Sequence, residues 1–309
     1  MKPLEKSKKK RVLRGKDKDL IFYTLMMIFP IAQFCVMYIG VNFNSILLAF
    51  KKIDTMSGTY TWTFSNIQNA FDLFTKSPVL LATAKNSLLA YVVLTFLGTP
   101  LGLIFSYYIY KKLPISNAFR VILFLPSIIS GIVMVTIFQF FVERAIPAFA
   151  SQLFGVKIRG LLENPGSRYA TIIFYNLWVG FGTSVLMYSN GMSGISQEVV
   201  ESAHLDGATG LTEFWKITLP MIYPTLSTFL ITGIAGLFTN QIALYSFYGG
   251  GAPENLQTYG YYLYMKTKNA ASDSEYTLLA AMGLLLTVIV VPLTLGVKWA
   301  LEKFGPKED

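Results

Sequence analysis

In two apolar stretches of the chain, uncharged polar residues and glycines recur at helical spacing. Asn176, Gly180 and Thr183 stand at i, i+4 and i+7, and Gly233, Leu237 and Asn240 repeat the pattern with Gly236 beside them. On a helix each set shares one face. An amide both donates and accepts hydrogen bonds, so it matches hydroxyls that do the same. A neighbouring glycine lets a bulky ring approach the backbone. Trp178 and Tyr245 could stack on such a ring, and Gln241 is a further amide beside Asn240. This chemistry suits reversible binding of a neutral, hydroxyl-rich solute. The competing role is packing, because small and amide residues join helices within membranes generally. Packing is the better account of the glycines. For Asn176 and Asn240 the two roles stand level.

Other chemistries are excluded. No G-x-x-x-x-G-K-[ST] run is present, and Gly207 and Gly210 near Lys216 have the wrong spacing and no preceding strand. ATP hydrolysis by this chain is therefore not expected. His204 is the one histidine, which rules out a two-histidine metal site. It reads as a polar residue on a surface helix. No paired acid, Ser/His or Cys/His set lies in the apolar stretches. Cys35 is the one cysteine, so no intrachain disulfide can form. No catalytic residue, metal ligand or cofactor is assigned to this chain.

One long polar segment, Ser196 to Pro220, lies between the two apolar stretches. Ser196 is placed to cap a short helix, and Glu198 falls in its first turn, where negative charge suits the helix dipole. Val199, Val200 and Ala203 share one arc of that helix, with Glu201 on the far side. Gly207 is placed to end it in a left-handed turn. A second helical piece from about Thr209 carries Phe214 and Ile217 toward Leu219-Pro220, the start of the next apolar stretch. The helix over residues 197–205 would be about 13 Å long. Burying its apolar arc against a partner would contribute up to a few kcal/mol, about 1.5–3 per large side chain.

The elements that must position these groups are membrane helices. Of 309 residues 53% are hydrophobic and 14% charged, and several apolar runs are long enough to cross a bilayer. Six spans are expected at about 20–43, 86–110, 121–142, 169–188, 221–245 and 277–297, with Pro30 as a kink in the first. Residues 1–19 form a basic tail, and 301–309 a short charged one. The formal charge of +9 gathers largely at the first tail, where residues 2–18 hold nine lysines and arginines. That suits an anionic membrane leaflet better than nucleic acid. The first apolar run is too long for a signal-peptide core, so it reads as an uncleaved anchor. Six spans place both termini on one side. Sixteen Lys and Arg then fall inside and ten outside, an excess that rests on the tail and on the short turn at 111–120. The expected spans hold no Asp, Glu, Lys or Arg between their ends, which disfavours ion-coupled transport.

The polar segment carries a resemblance. Glu201-x-Ala203-x-x-Asp206-Gly207-Ala208, then Phe214, then Ile217-x-Leu219-Pro220 resembles the EAA loop of permease subunits of binding-protein-dependent ABC importers. Ser202 departs from the pattern, where a second alanine is usual. Phe124-Leu125-Pro126-Ser127 resembles the family's turn into the third span. Gly249-Gly250-Gly251-Ala252-Pro253 with Thr258 resembles the glycine-proline loop of its sugar branch, the subunit type of the maltose and glycerol-phosphate permeases, with Ala252 as an insertion. The likeness covers about residues 20–300.

The resemblance implies an all-α, six-span type I importer fold with cytoplasmic termini, in the bacterial cell membrane. It implies a cytoplasmic coupling loop, 191–220, in which Glu201, Ala203, Asp206, Gly207, Ala208, Ile217, Leu219 and Pro220 meet an ATPase. It implies a translocation path for a sugar or oligosaccharide, and Asn176 and Asn240 match sugar-contacting positions of the family. The implied partners are a second permease subunit, different from this one, two ATPase subunits that bind ATP and magnesium, and an extracellular solute-binding protein. Alternatives are a permease for an amino acid, polyamine or phosphate, and a channel or exporter without a binding protein.

Overall fold

The computed structural model describes residues 15–53 and 58–306. Most of the basic 1–19 tail and the last three residues of the C-terminal tail lie outside the described residues. The first helix, α1 (Lys18–Ala49), has no buried residue in its most apolar window. Pro30, which lacks an N–H, stays inside it, and a π turn follows at Phe34–Gly40. Where apolar periodicity stops, two short strands pair antiparallel: β1 (Lys51–Ile53) and β2 (Tyr60–Trp62), with Lys51 opposite Trp62. The fold is all-α in class, with this one small hairpin among the described residues. An amphipathic helix, α2 (Ser65–Lys76), buries Asn66 and Ala70. Asn66 Nδ2 donates to the carbonyls of Ala49 and Lys51, which ties α2 to the end of α1.

Helix α3 (Pro78–Tyr110) begins with a Ser77 cap and proline in its first turn, where no N–H is missed. The expected third span is divided. One helix, α4 (Ser116–Ile128), stops at an extended Ile129-Ser130, and a second, α5 (Gly131–Phe154), restarts beyond it. Pro126, which has no N–H to continue the ladder, precedes the break. Helix α5 runs past residue 142, so Glu143 and Arg144, just beyond the expected third span, lie within a continuous helix. Glu143 is used locally: its Oε1 accepts from the Leu162 N–H at 2.5 Å.

Helix α6 (Pro165–Ser193) is capped by Asn164. It crosses α4 at Gly182, where a β-carbon would lie 1.9 Å from the Leu123 carbonyl oxygen. After the short α7 (Gln197–Leu205) come α8 (Gly210–Met221) and α9 (Tyr223–Ala235), bent by 65° at Ile222 between Pro220 and Pro224. The expected fifth span, 221–245, is also corrected: α9 ends at Ala235, and the chain turns without helix until α10 (Leu244–Tyr248). Helix α11 (Tyr259–Lys268) is capped by the Thr258 side chain. Helix α12 (Asp273–Phe304) starts at a Ser272 cap with Asp273 and Glu275 in its first turn, where the dipole favours acids. Among the described residues, five helices, or six if the bent pair counts as one span, are long and apolar enough to cross a membrane.

Three buried clusters hold the bundle. One, around Phe138, Tyr175, Ile242 and Phe247, joins α5, α6 and α10. A second, around Leu80, Tyr259 and Met282, joins α3, α11 and α12. The third, around Leu103, Tyr188, Met192, Phe214 and Ile222, seats the 194–222 loop on α3 and α6.

Candidate functional site

A cavity of about 490 Å³ lies between α3, α6, α9 and the non-helical segment 236–243. Small-molecule sites typically span about 300–1,000 Å³. Tyr91, Thr95 and Thr99 face it from α3, Asn176, Gly180 and Ser184 from α6. Gly233, Gly236, Thr239 and Asn240 line the third wall. Among the described residues no Asp, Glu, Lys, Arg or His lines it. It can offer hydroxyls, amides, backbone carbonyls and aromatic faces to an uncharged ligand.

The non-helical segment is held by side chains. Ile242 and Ala243 have φ of 44° and 59°, a left-handed conformation that costs about 1–2 kcal/mol per non-glycine residue. Asn176 Nδ2 donates to the carbonyls of Ile172 at 2.8 Å and Ile242 at 2.9 Å. Asn240 Oδ1 accepts from the Ile242 N–H at 2.8 Å, and Thr258 Oγ1 donates to the Asn240 carbonyl at 2.9 Å. Gly260 lets α11 approach closely, since a β-carbon there would lie 2.4 Å from the Thr239 carbonyl oxygen. Non-helical backbone at membrane depth is tolerated where it is buried in protein or lines a cavity. Both amides therefore brace the break and line the cavity at once. These bonds use Asn176 Nδ2 and Asn240 Oδ1 and leave the other atom of each amide out of them.

Five of the nine expected path residues line the cavity: Asn176, Gly180, Gly233, Gly236 and Asn240. Four do not. Trp178 packs in the apolar core, 6.1 Å from the Phe138 ring, and Thr183 is exposed on α6. Gln241 lies outside the lining, on the turn that Asn240 braces. Tyr245 contacts Lys268 and packs 5.1 Å from Tyr264. Helical spacing fails for Gln241 and Tyr245 because the helix ends at Ala235. Tyr91, Thr95 and Thr99 were missed, although polar residues at i, i+4 and i+8 on an apolar helix are a legible signal.

At the end of the bundle formed by Tyr110 and Ser193 lies the loop. Helix α7 ends in a Schellman turn: Gly207 N–H donates to the His204 carbonyl, Ala208 N–H to that of Ala203, and Gly207 has φ of +81°. Ser196 stands at the N-cap, but its side chain makes no capping bond. Glu201 accepts from Gln197 Nε2 and stays exposed, as does Asp206. Val200, Ala203 and Ala208 are half-buried. Ile217, Leu219 and Pro220 lie half-buried on α8, and Leu219 packs on the third cluster. The most open apolar groups are Leu205, 89% exposed, and Leu211, 76% exposed, rather than the expected Val199–Val200–Ala203 arc.

Glu213 was not foreseen. It is 1% exposed, and its carboxylate meets the side chains of Lys111 and His204. Lys111 Nζ lies 2.5 Å from Oε1 and 2.6 Å from Oε2. His204 Nε2 lies 2.9 Å from Oε2, and because a carboxylate only accepts, this nitrogen carries the proton. Burial pushes the Glu213 carboxyl up, but hydrogen bonds from Lys111 and His204, with the Lys111 charge, hold it below the ordinary carboxylate value. Tyr107 completes the seat: its hydroxyl donates to the Gly210 carbonyl at 3.0 Å, and its ring packs edge-on to Phe214. Glu213 and Lys111 stand too far apart in the chain for any spacing rule to pair them.

Residues 98–308, more than half of the chain, match the family described as binding-protein-dependent transport system inner membrane component. The multiple sugar-binding transport system permease protein MsmF of Streptococcus mutans is 26% identical over 245 residues, 78% of this chain and 83% of MsmF. The probable ABC transporter permease protein YesP of Bacillus subtilis is 28% identical over 300 residues, 91% of this chain and 92% of YesP. The galactooligosaccharides transport system permease protein GanP of Bacillus subtilis is 29% identical over 60% of this chain, which spans 46% of GanP's length. Among solved structures, a bacterial ABC transporter involved in the import of the acidic polysaccharide alginate superposes with a TM-score of 0.77 at 20% identity, over 93% of this chain and 96% of that one. At that identity the likeness is one of fold.

Proposed function

Since the chain belongs to the family of binding-protein-dependent transport system inner membrane components, a multi-pass family of the bacterial cytoplasmic membrane, we propose that it forms half of the path of an ATP-driven importer for a sugar or oligosaccharide. The observation that carries this reading is the uncharged, hydroxyl- and amide-lined cavity at a braced break in a membrane helix. Two relatives named for multiple sugars and galactooligosaccharides support the solute class. A charged solute would leave an opposing charge in the path, and the lining holds none.

In this reading the termini and the 191–220 loop are cytoplasmic. Helix α7 docks in a groove of an ATPase subunit, with Glu201 as polar contact and the exposed Leu205 and Leu211 as apolar ones. ATP and magnesium are bound by the ATPase pair. A binding protein delivers solute at the opposite end, and a second permease subunit closes the open side of the cavity. Gly207 turns the chain so that motion of α7 reaches α6 and α9. The test is uptake in proteoliposomes that hold the full assembly and binding protein, with neutral oligosaccharides set against amino acids, polyamines and phosphate. ATP-dependent accumulation of a neutral sugar is expected. Accumulation of a charged solute alone would overturn the solute class.

A further inference from the structure

Three helices wall the cavity, and the loop is joined by chain to two of them. Helix α6 leads into it and α9 leaves it. The third wall, α3, carries Tyr91, Thr95 and Thr99 and has no such covalent link to the loop. Besides the apolar contact of Phe214 and Ile222 with Leu103 and Tyr107, what reaches from the loop to α3 is a polar cluster at the end of that helix. Glu213 is gripped by Lys111, the residue after α3, and the Tyr107 hydroxyl holds the Gly210 carbonyl. From the loop side, His204 on α7 closes on the same carboxylate. A buried carboxylate left without its cation is strongly unfavourable, so these groups move as one body or stay put.

We infer that Glu213 is a positioning residue that couples α7 to the third cavity wall, with Lys111 as its receiver on α3 and His204 as its contact on the moving helix. The inference rests on the coupling role proposed for the loop. When α7 is displaced, α6 and α9 follow by chain connection, and α3 follows through the Glu213–Lys111 pair. Without that pair the loop keeps only its apolar contact with α3, that wall lags behind the other two, and ATP is spent with little opening of the cavity to solute.

The experiment uses the full importer in proteoliposomes, with Cys35→Ser removing the chain's one cysteine. Lys111→Cys and Glu213→Cys are combined, and a short bifunctional methanethiosulfonate joins the two thiols through reducible bonds. Before cross-linking, solute uptake per ATP hydrolysed should fall about tenfold, the size of a typical coupling free energy. Cross-linking should restore it, and reduction should abolish it again. A role limited to folding would not return with the tether. Normal uptake in the untethered double variant, or no recovery with the tether, overturns the inference. The ATPase must co-purify throughout. If it fails to bind even the unaltered loop, the coupling reading itself has failed, a result distinct from either of those.

Discussion

At Gly207 a single φ angle decides whether the loop can turn. The value of +81° is left-handed, where a non-glycine residue costs about 1–2 kcal/mol. Proline is worse, because it fixes φ near −65° and removes the N–H that donates to His204. Gly207→Pro should insert in the membrane normally and abolish uptake in vesicles; normal import would refute the lever. Asn176→Ala removes two hydrogen bonds and Asn240→Ala one, each worth about 1 kcal/mol, along with the amide proposed to meet solute. Solute-stimulated ATPase should drop several-fold while basal ATPase persists. Glu213 predicts a pH effect. Its folded carboxyl sits below its ordinary 4.5, so its stabilisation is whole above that value and lost as pH falls through the lower folded one. The melting temperature of the wild type should therefore decline on acidification below about 4.5, whereas Glu213→Gln should lack that component. An identical acid limb in both would dismiss the pairing.

Among elements, the informative features are where helices stop. The expected apolar runs overlap α1, α3, α6 and α12, because hydrophobic length marks such helices, whereas the third run straddles α4 and α5. The sequence pattern also located the Gly207 turn, which glycine marks locally. It did not locate the breaks at Ile129-Ser130 and after Ala235, since both lie inside apolar runs whose composition does not change. These breaks come from tertiary contacts: Asn176 reaching Ile242, Thr258 reaching Asn240, and α11 pressing on Thr239. Asn176 and Gly180 were legible by spacing because α6 is unbroken there, although Thr183 on the same helix misses the lining. Gln241 and Tyr245 were misplaced for the converse reason. The close crossing of α4 and α6 provides a test at this scale. Gly182→Ala would drive a methyl into the Leu123 carbonyl, and overpacking of this kind typically costs about 1–3 kcal/mol. A lowered melting temperature in detergent is expected, and an unchanged one would show that the two helices can part freely.

Over the whole molecule, the cavity is walled on three sides by this chain, and α1 packs little of itself against the rest. Both facts fit a protein that is completed by others. Native mass spectrometry of the purified importer should find one copy of this chain with one different permease chain and two ATPase chains. Two copies of this chain in one particle would refute the heterodimer. The exposed loop has a further consequence in the proposed topology, where it presents Leu205 and Leu211 to water together with Trp215, 62% exposed. A newly made copy that finds no motor subunit displays an oily handle of the kind that chaperones and quality-control proteases grasp. In that proposal a copy made without its motor subunit should be degraded faster than an assembled one, so that surplus subunits are removed rather than stored.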